Sequence, residues 1–129
     1  MINREQAIDL AKEFLSVELK KEDWFVKIKP FSKASVLYGS VAKETNKPDS
    51  DIDILLILPL DKEKEYTKGE YSYNYKDFKI NIVLRSIEKL RKIAEDKNDL
   101  LQKEIFRKSK ILTDTGGKVT NLLKEISKT

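Results

Sequence analysis

The chain predicts a mixed α/β (α+β) fold, a single domain over residues 1–129 with a mixed sheet flanked by helices. Three observations lead there. Apolar residues recur at helical spacing near both ends of the chain. Short runs of strand length lie between them. One of these runs, Asp51 to Leu58, is apolar on both faces after Asp53, as in a central strand covered on two sides. A length of 129 residues suits one domain.

Asn3 with Gln6 three residues later resembles a capping box. Ala7, Ile8, Ala11, Phe14, Leu15 and Leu19 then share a helical stripe, which predicts a helix from Arg4 to Lys21. In Glu22 to Ser32, the alternation of Trp24, Val26 and Ile28 allows a short strand closed by Pro30, and a packed loop fits equally. Ala34 to Tyr38 reads as a strand, with one or two helical turns after it over Ser40 to Glu44. Pro59 ends the central strand, and the charged stretch Asp61 to Gly69 reads as a mobile loop. Glu70–Tyr75 and Phe78–Leu84 read as antiparallel strands joined at Lys76-Asp77. Ser86 is a candidate N-cap for a helix carrying Ile87, Leu90, Ile93 and Ala94. Asp96 to Asp99 breaks it, and Leu100, Leu101, Ile105 and Phe106 continue on a second helix. Lys110–Thr113 is a short strand, Asp114–Gly117 a turn, and Val119, Leu122, Leu123 and Ile126 mark a C-terminal helix. No internal repeat, low-complexity segment or linker is visible.

Composition narrows the chemistry. The chain has no His and no Cys, so imidazole catalysis, thiol catalysis and structural zinc are excluded. Catalysis would rest on carboxylates, Lys, Arg, Ser, Thr, Tyr or a metal. Charged residues make up 37% of the chain but nearly cancel to +4, which describes a solvated surface rather than a nucleic-acid site. Aromatic–basic interleaving of the single-strand-binding kind is also missing, so nucleic acid is not expected as a partner. No run approaches the roughly 18 apolar residues of a membrane span, and the start, MINREQAIDL, lacks a signal-peptide pattern. The expected location is the reducing cytoplasm. The Lys- and Glu-rich composition would also fit a thermophilic source.

The chemistry concentrates in Val36 to Leu58. Gly39-Ser40 ends one strand, and glycine there lets a ligand approach the backbone. Asp51 and Asp53, one residue apart on an extended segment, project from one face. Carboxylates this close raise each other's pKa unless a cation lies between them, and oxygen-only donors suit magnesium or manganese. A plain turn explains Gly39-Ser40 alone, and a charged strand start explains the aspartates alone. Their combination, with ten residues between Ser40 and Asp51, is an arrangement for a metal–triphosphate complex.

Gly39-Ser40, that spacing, and Ser50-Asp51-Ile52-Asp53-Ile54 resemble the signature of the polymerase-beta nucleotidyltransferase superfamily. The similarity is greatest to its small prokaryotic branch, the minimal (MNT-type) nucleotidyltransferases. It covers Ala34 to Leu84, and more loosely Ile111 to Asp114. The resemblance implies that Gly39 and Ser40 bind the β- and γ-phosphates of ATP. Apart from the resemblance, Lys43 is a lesser candidate phosphate contact, for which a solvated surface lysine is the plainer reading. It implies that Asp51 and Asp53 bind two magnesium ions. It also implies a third carboxylate on a neighbouring strand, which helps hold one metal and acts as general base. The expected activity is magnesium-dependent transfer of AMP from ATP to a hydroxyl of a partner protein or a small molecule. The expected partner is a HEPN-type toxin, or a second copy in a homodimer, because the chain is too short for a separate acceptor-binding domain.

The third position falls on Asn81, within Ile80-Asn81-Ile82-Val83. Asn81 is neutral and cannot be a base; losing a base costs about 10²–10⁴ in rate. Two carboxylates against two dications also predict a weaker second metal. Asp77 and Glu70 are weaker candidates for the missing carboxylate. Glu44 stands where the family often has Gly, after a basic residue matched by Lys43. The alternative reading is a catalytically impaired module that binds nucleotide or a HEPN-type partner. Lesser readings are Arg85 near the triphosphate, Tyr66, Tyr71, Tyr73 and Tyr75 along one sheet edge, and Trp24 anchoring the N-terminal segment.

Overall fold

The computed structural model describes residues 2–47, 50–65, 70–96, 98, 100–106 and 108–127. Asn3 caps α1 (Arg4–Glu13) in both directions. Its side chain accepts from the Gln6 N–H at 2.8 Å, and Gln6 Oε1 accepts from the Asn3 N–H at 3.0 Å. A π turn, Phe14–Glu18, and a 3₁₀ turn, Leu19–Lys21, carry the helical path to Lys21 as expected.

The next segment corrects the sequence reading. Asp23–Ile28 is a helix, α2, followed by a 3₁₀ turn at Lys29–Phe31, and not a strand or packed loop. Phe25 and Ile28, three apart, are buried together, while Val26 is 55% exposed. A strand would have turned Val26 and Ile28 to the same side. So short an alternation fits both periods, and burial against the sheet decides.

The remaining elements are β1 (Ala34–Tyr38), α3 (Gly39–Ala42), β2 (Ile52–Leu58), α4 (Leu60–Glu65), β3 (Glu70–Tyr75), β4 (Phe78–Ser86), α5 (Ile87–Glu95), α6 (Leu100–Ile105), β5 (Lys110–Asp114) and α7 (Lys118–Ser127). Helix α4 is the second correction, since the expected loop begins as a helix. The Pro59 carbonyl accepts from the N–H groups of Lys62 and Glu63 at 3.1 Å each, and Lys89 reaches across from α5 to Glu63 at 2.7 Å. The rest of that stretch, with Tyr66, lies outside the described residues.

The sheet order is β3-β4-β2-β1-β5, which puts β2 in the centre. Strands β2 and β4 run parallel, and the other pairs are antiparallel. The β3–β4 hairpin turns on Lys76 and Asp77, both at positive φ (49° and 69°), the conformation whose twist matches a two-residue hairpin. Ser86 caps α5 by accepting from the Lys89 N–H at 3.1 Å.

Each sheet face builds a core. On one side Leu37, Ile54, Leu56, Ile80 and Ile82 pack with Ala7, Ala11, Phe14, Phe25 and Ile28, and Tyr71, Tyr73 and Tyr75 extend this face. On the other, Ala34, Val36, Leu55 and Ile57 pack with Leu90, Phe106, Val119, Leu123 and Ile126 from α5, the end of α6, and α7. Among the described residues no helix is long and apolar enough to cross a membrane.

Candidate active site

Asp53 lies on β2 and Asp51 immediately precedes it. By alternation they share the face of Leu55 and Ile57. Both are half-buried. Antiparallel pairing sets Tyr38, the last residue of β1, opposite Asp53. The next residue, Gly39, therefore turns directly over the Asp53 carboxylate. Gly39 adopts φ +82°, and a Cβ there would stand 2.6 Å from Asp53 Oδ2. No other residue type fits without displacing one of the two.

Parallel pairing of β2 with β4 sets Asn81 beside Asp53. The Asn81 amide nitrogen donates to Asp51 Oδ2 at 2.9 Å and to Asp53 Oδ1 at 3.1 Å. Ser72, opposite Asn81 on β3, donates its hydroxyl to Asn81 Oδ1 at 2.8 Å. The amide thus joins two carboxylates to which it supplies only hydrogen-bond donors. Ser72 has no counterpart in the sequence reading. Its position is nevertheless countable, because Ser72 and Asn81 form the fourth pair outward from the two-residue turn.

Burial pushes the Asp53 carboxyl above the ordinary aspartate range. The Asn81 hydrogen bond pulls it back, and the charges of Asp51 and Glu70 push it up again. Tyr38 is raised to about 12, by burial first and by the Asp53 charge second, so it stays a neutral phenol; its ring stacks on Phe106 at 5.9 Å.

The other candidates lie around this centre. Ser40 is half-buried, and its hydroxyl makes no hydrogen bond among the described residues. Its carbonyl accepts from the Thr45 N–H at 2.9 Å, closing the turn. Lys43 pairs with Glu104 on α6 at 3.6 Å. Glu44 sits at φ +62°, a left-handed position that glycine fills most easily. Glu70, opposite Val83, shares the Asn81 face, and its charge reaches Asp53. Asp77 lies in the hairpin turn, four strand residues or about 13 Å from Asn81. Arg85 is exposed and donates to the Leu84 carbonyl at 3.0 Å.

Two facing carboxylates suit one divalent cation with oxygen ligands. No group of three or more Asp or Glu side chains able to hold a metal occurs among the described residues.

A family model described as a nucleotidyltransferase domain matches residues 18–119. No curated protein matches the chain. The fold is similar to that of a nucleotidyltransferase-like protein from Exiguobacterium sibiricum 255-15, with a TM-score of 0.53 and 11% identity over 84% of this chain and 37% of that one. The chain therefore spans well under half of that protein's length. A structure described as a toxin–antitoxin with AMP-PNP matches at a TM-score of 0.42 and 17% identity, over 81% of this chain and 80% of that one.

Proposed function

This chain belongs to the nucleotidyltransferase domain family, and from that membership we propose that it transfers AMP from ATP to a hydroxyl acceptor, assisted by magnesium. One observation carries the reading: the Gly39 turn lies directly against the Asp53 carboxylate. A phosphate-binding turn and a cation-binding pair would work together at this proximity, since a cation held by Asp51 and Asp53 would offset phosphate charge beside the turn.

The residues divide the work. Gly39 removes the side chain that would block the phosphates, and the Ser40 hydroxyl donates to them. Asp51 and Asp53 would hold the cation. When bound, it neutralises the triphosphate and the charge that develops on the leaving group. The acceptor oxygen forms a bond to the α-phosphorus, the α–β phosphoanhydride bond breaks, and pyrophosphate leaves as the hydroxyl gives its proton to solvent water. Asn81 cannot take that proton.

The acceptor is a partner protein of the HEPN type, a second copy of the chain, or a small molecule, in a reducing cytoplasm. Leu100 and Leu101, 63% and 75% exposed on α6, favour a protein, since Glu104 of that helix pairs with Lys43 beside the site.

Incubation with labelled ATP, magnesium and a co-purifying partner should transfer label, and Asp51→Ala or Asp53→Ala should abolish transfer. Transfer that survives both changes overturns the assignment. The amide of Asn81 favours a second reading, a module that binds nucleotide without turnover. Calorimetric binding of magnesium–ATP without label transfer, with transfer gained in Asn81→Asp, would select it.

A further inference from the structure

We infer that the site holds one divalent cation per chain, because the Asn81 amide, braced by Ser72, stands in the place of a second. This rests on the nucleotidyl-transfer reading and adds the ion count.

The geometry divides each carboxylate into two sides. Asp51 Oδ2 and Asp53 Oδ1 face β4 and accept from the Asn81 amide nitrogen at 2.9 and 3.1 Å. The remaining oxygens, Asp51 Oδ1 and Asp53 Oδ2, accept no hydrogen bond among the described residues. Asp53 Oδ2 is also the oxygen that Gly39 approaches. The side open to a cation is therefore the side of the phosphate turn. On the β4 side the aspartates already receive two N–H donors, which partly neutralise them as a cation would. Ser72 keeps that orientation by donating to the amide oxygen at 2.8 Å. To serve as a ligand, the amide would have to turn its oxygen toward two carboxylates. Charge gives the same answer. Without nucleotide, two carboxylates carry −2 and one dication cancels it, whereas a second dication would leave uncompensated charge in a half-buried site.

The test counts manganese ions bound to the metal-free protein by electron paramagnetic resonance, without nucleotide. Melting curves in EDTA confirm that each variant folds. The native chain should bind one ion. Asn81→Asp should bind two, the second within about tenfold of the first in affinity. Asn81→Ala, which only uncovers carboxylate oxygen, should keep its ion at equal or tighter affinity. Two comparable ions in the native chain, one in Asn81→Asp, or a lost ion in Asn81→Ala would each overturn the inference; the last would make the amide oxygen a ligand. Because no turnover is needed, the two readings fail separately. One ion without label transfer removes the activity and leaves the ion count. Two ions with transfer does the reverse.

Discussion

Gly39 and Asp53 are in contact across the β1–β2 pair, so closely that a methyl group on Gly39 would lie 2.6 Å from the aspartate oxygen. Gly39→Ala should therefore fail twice. Its backbone holds φ +82°, a region that costs an alanine about 1–2 kcal/mol. Its new methyl group would also push Asp53 out of line. Lower urea midpoints together with lost magnesium–ATP binding by calorimetry are expected. Unchanged nucleotide binding would show that the turn does not touch the ligand.

Asp53 sacrifices stability for its site. Its pKa is raised by burial, then lowered by the Asn81 bond, then raised by Asp51 and Glu70. A carboxyl with a folded pKa above its unfolded value stabilises fully below the unfolded value. That contribution is lost as pH rises through the folded value. Without metal, Asp53→Asn should therefore melt higher than the native chain at pH 7, and the gap should close on acidification into the ordinary carboxylate range. Magnesium should raise the native melting point and leave the variant unmoved. A native chain that melts higher than the variant in EDTA at pH 7 would contradict this.

Asp114 works in the opposite direction. Burial pushes it up, but donors outweigh burial and hold it below the usual aspartate range. These are the Thr120 hydroxyl at 2.6 Å, the Thr120 N–H at 2.8 Å and the Gly117 N–H at 3.0 Å, with a longer contact from Gly116. They bind the first turn of α7. Asp114→Ala should cost about 1 kcal/mol, as loss of a helix cap does. Its native contribution should be present above the unfolded aspartate value and fade as pH falls through the lowered folded value. Denaturant titrations of both proteins at neutral and acidic pH check this.

Trp24 joins α2 to the sheet. Its indole stacks on Tyr71 at 3.9 Å and donates to the Tyr73 hydroxyl at 2.7 Å. Tyr73→Phe leaves that N–H without its acceptor, at a cost of about 1 kcal/mol for a part-buried group. Trp24 is the only tryptophan, so its fluorescence reports the change directly. A red-shifted emission and a lower melting point are expected. Unaltered emission would mean that α2 does not depend on this bond.

The capping box at Asn3, the central placing of β2, the hairpin at Lys76-Asp77 and the Ser86 cap were all legible, because short-range chemistry governs each. Helix α2 was not. Six residues with Trp24, Val26 and Ile28 satisfy two periods at once, and only burial of Phe25 with Ile28 separates them. Helix α4 was hidden by its charges, because its support comes from Lys89, 26 residues away on α5. Lys43 is a candidate phosphate contact by sequence, and its ion pair with Glu104 of α6 joins residues that no local pattern links.

By itself the sequence determined the elements of the site: a glycine free to turn at positive φ, and two aspartates of equal parity on one extended segment. Those follow from bond geometry and alternation within a few residues. The tertiary structure decided what surrounds them. Parallel pairing of β2 with β4 brings Asn81 between Asp51 and Asp53, and the hairpin brings Ser72 behind it. These contacts join residues 28 and 30 positions apart through strand order. Strand order is set by burying both faces of β2 at once, a condition on the whole sheet that no short segment carries.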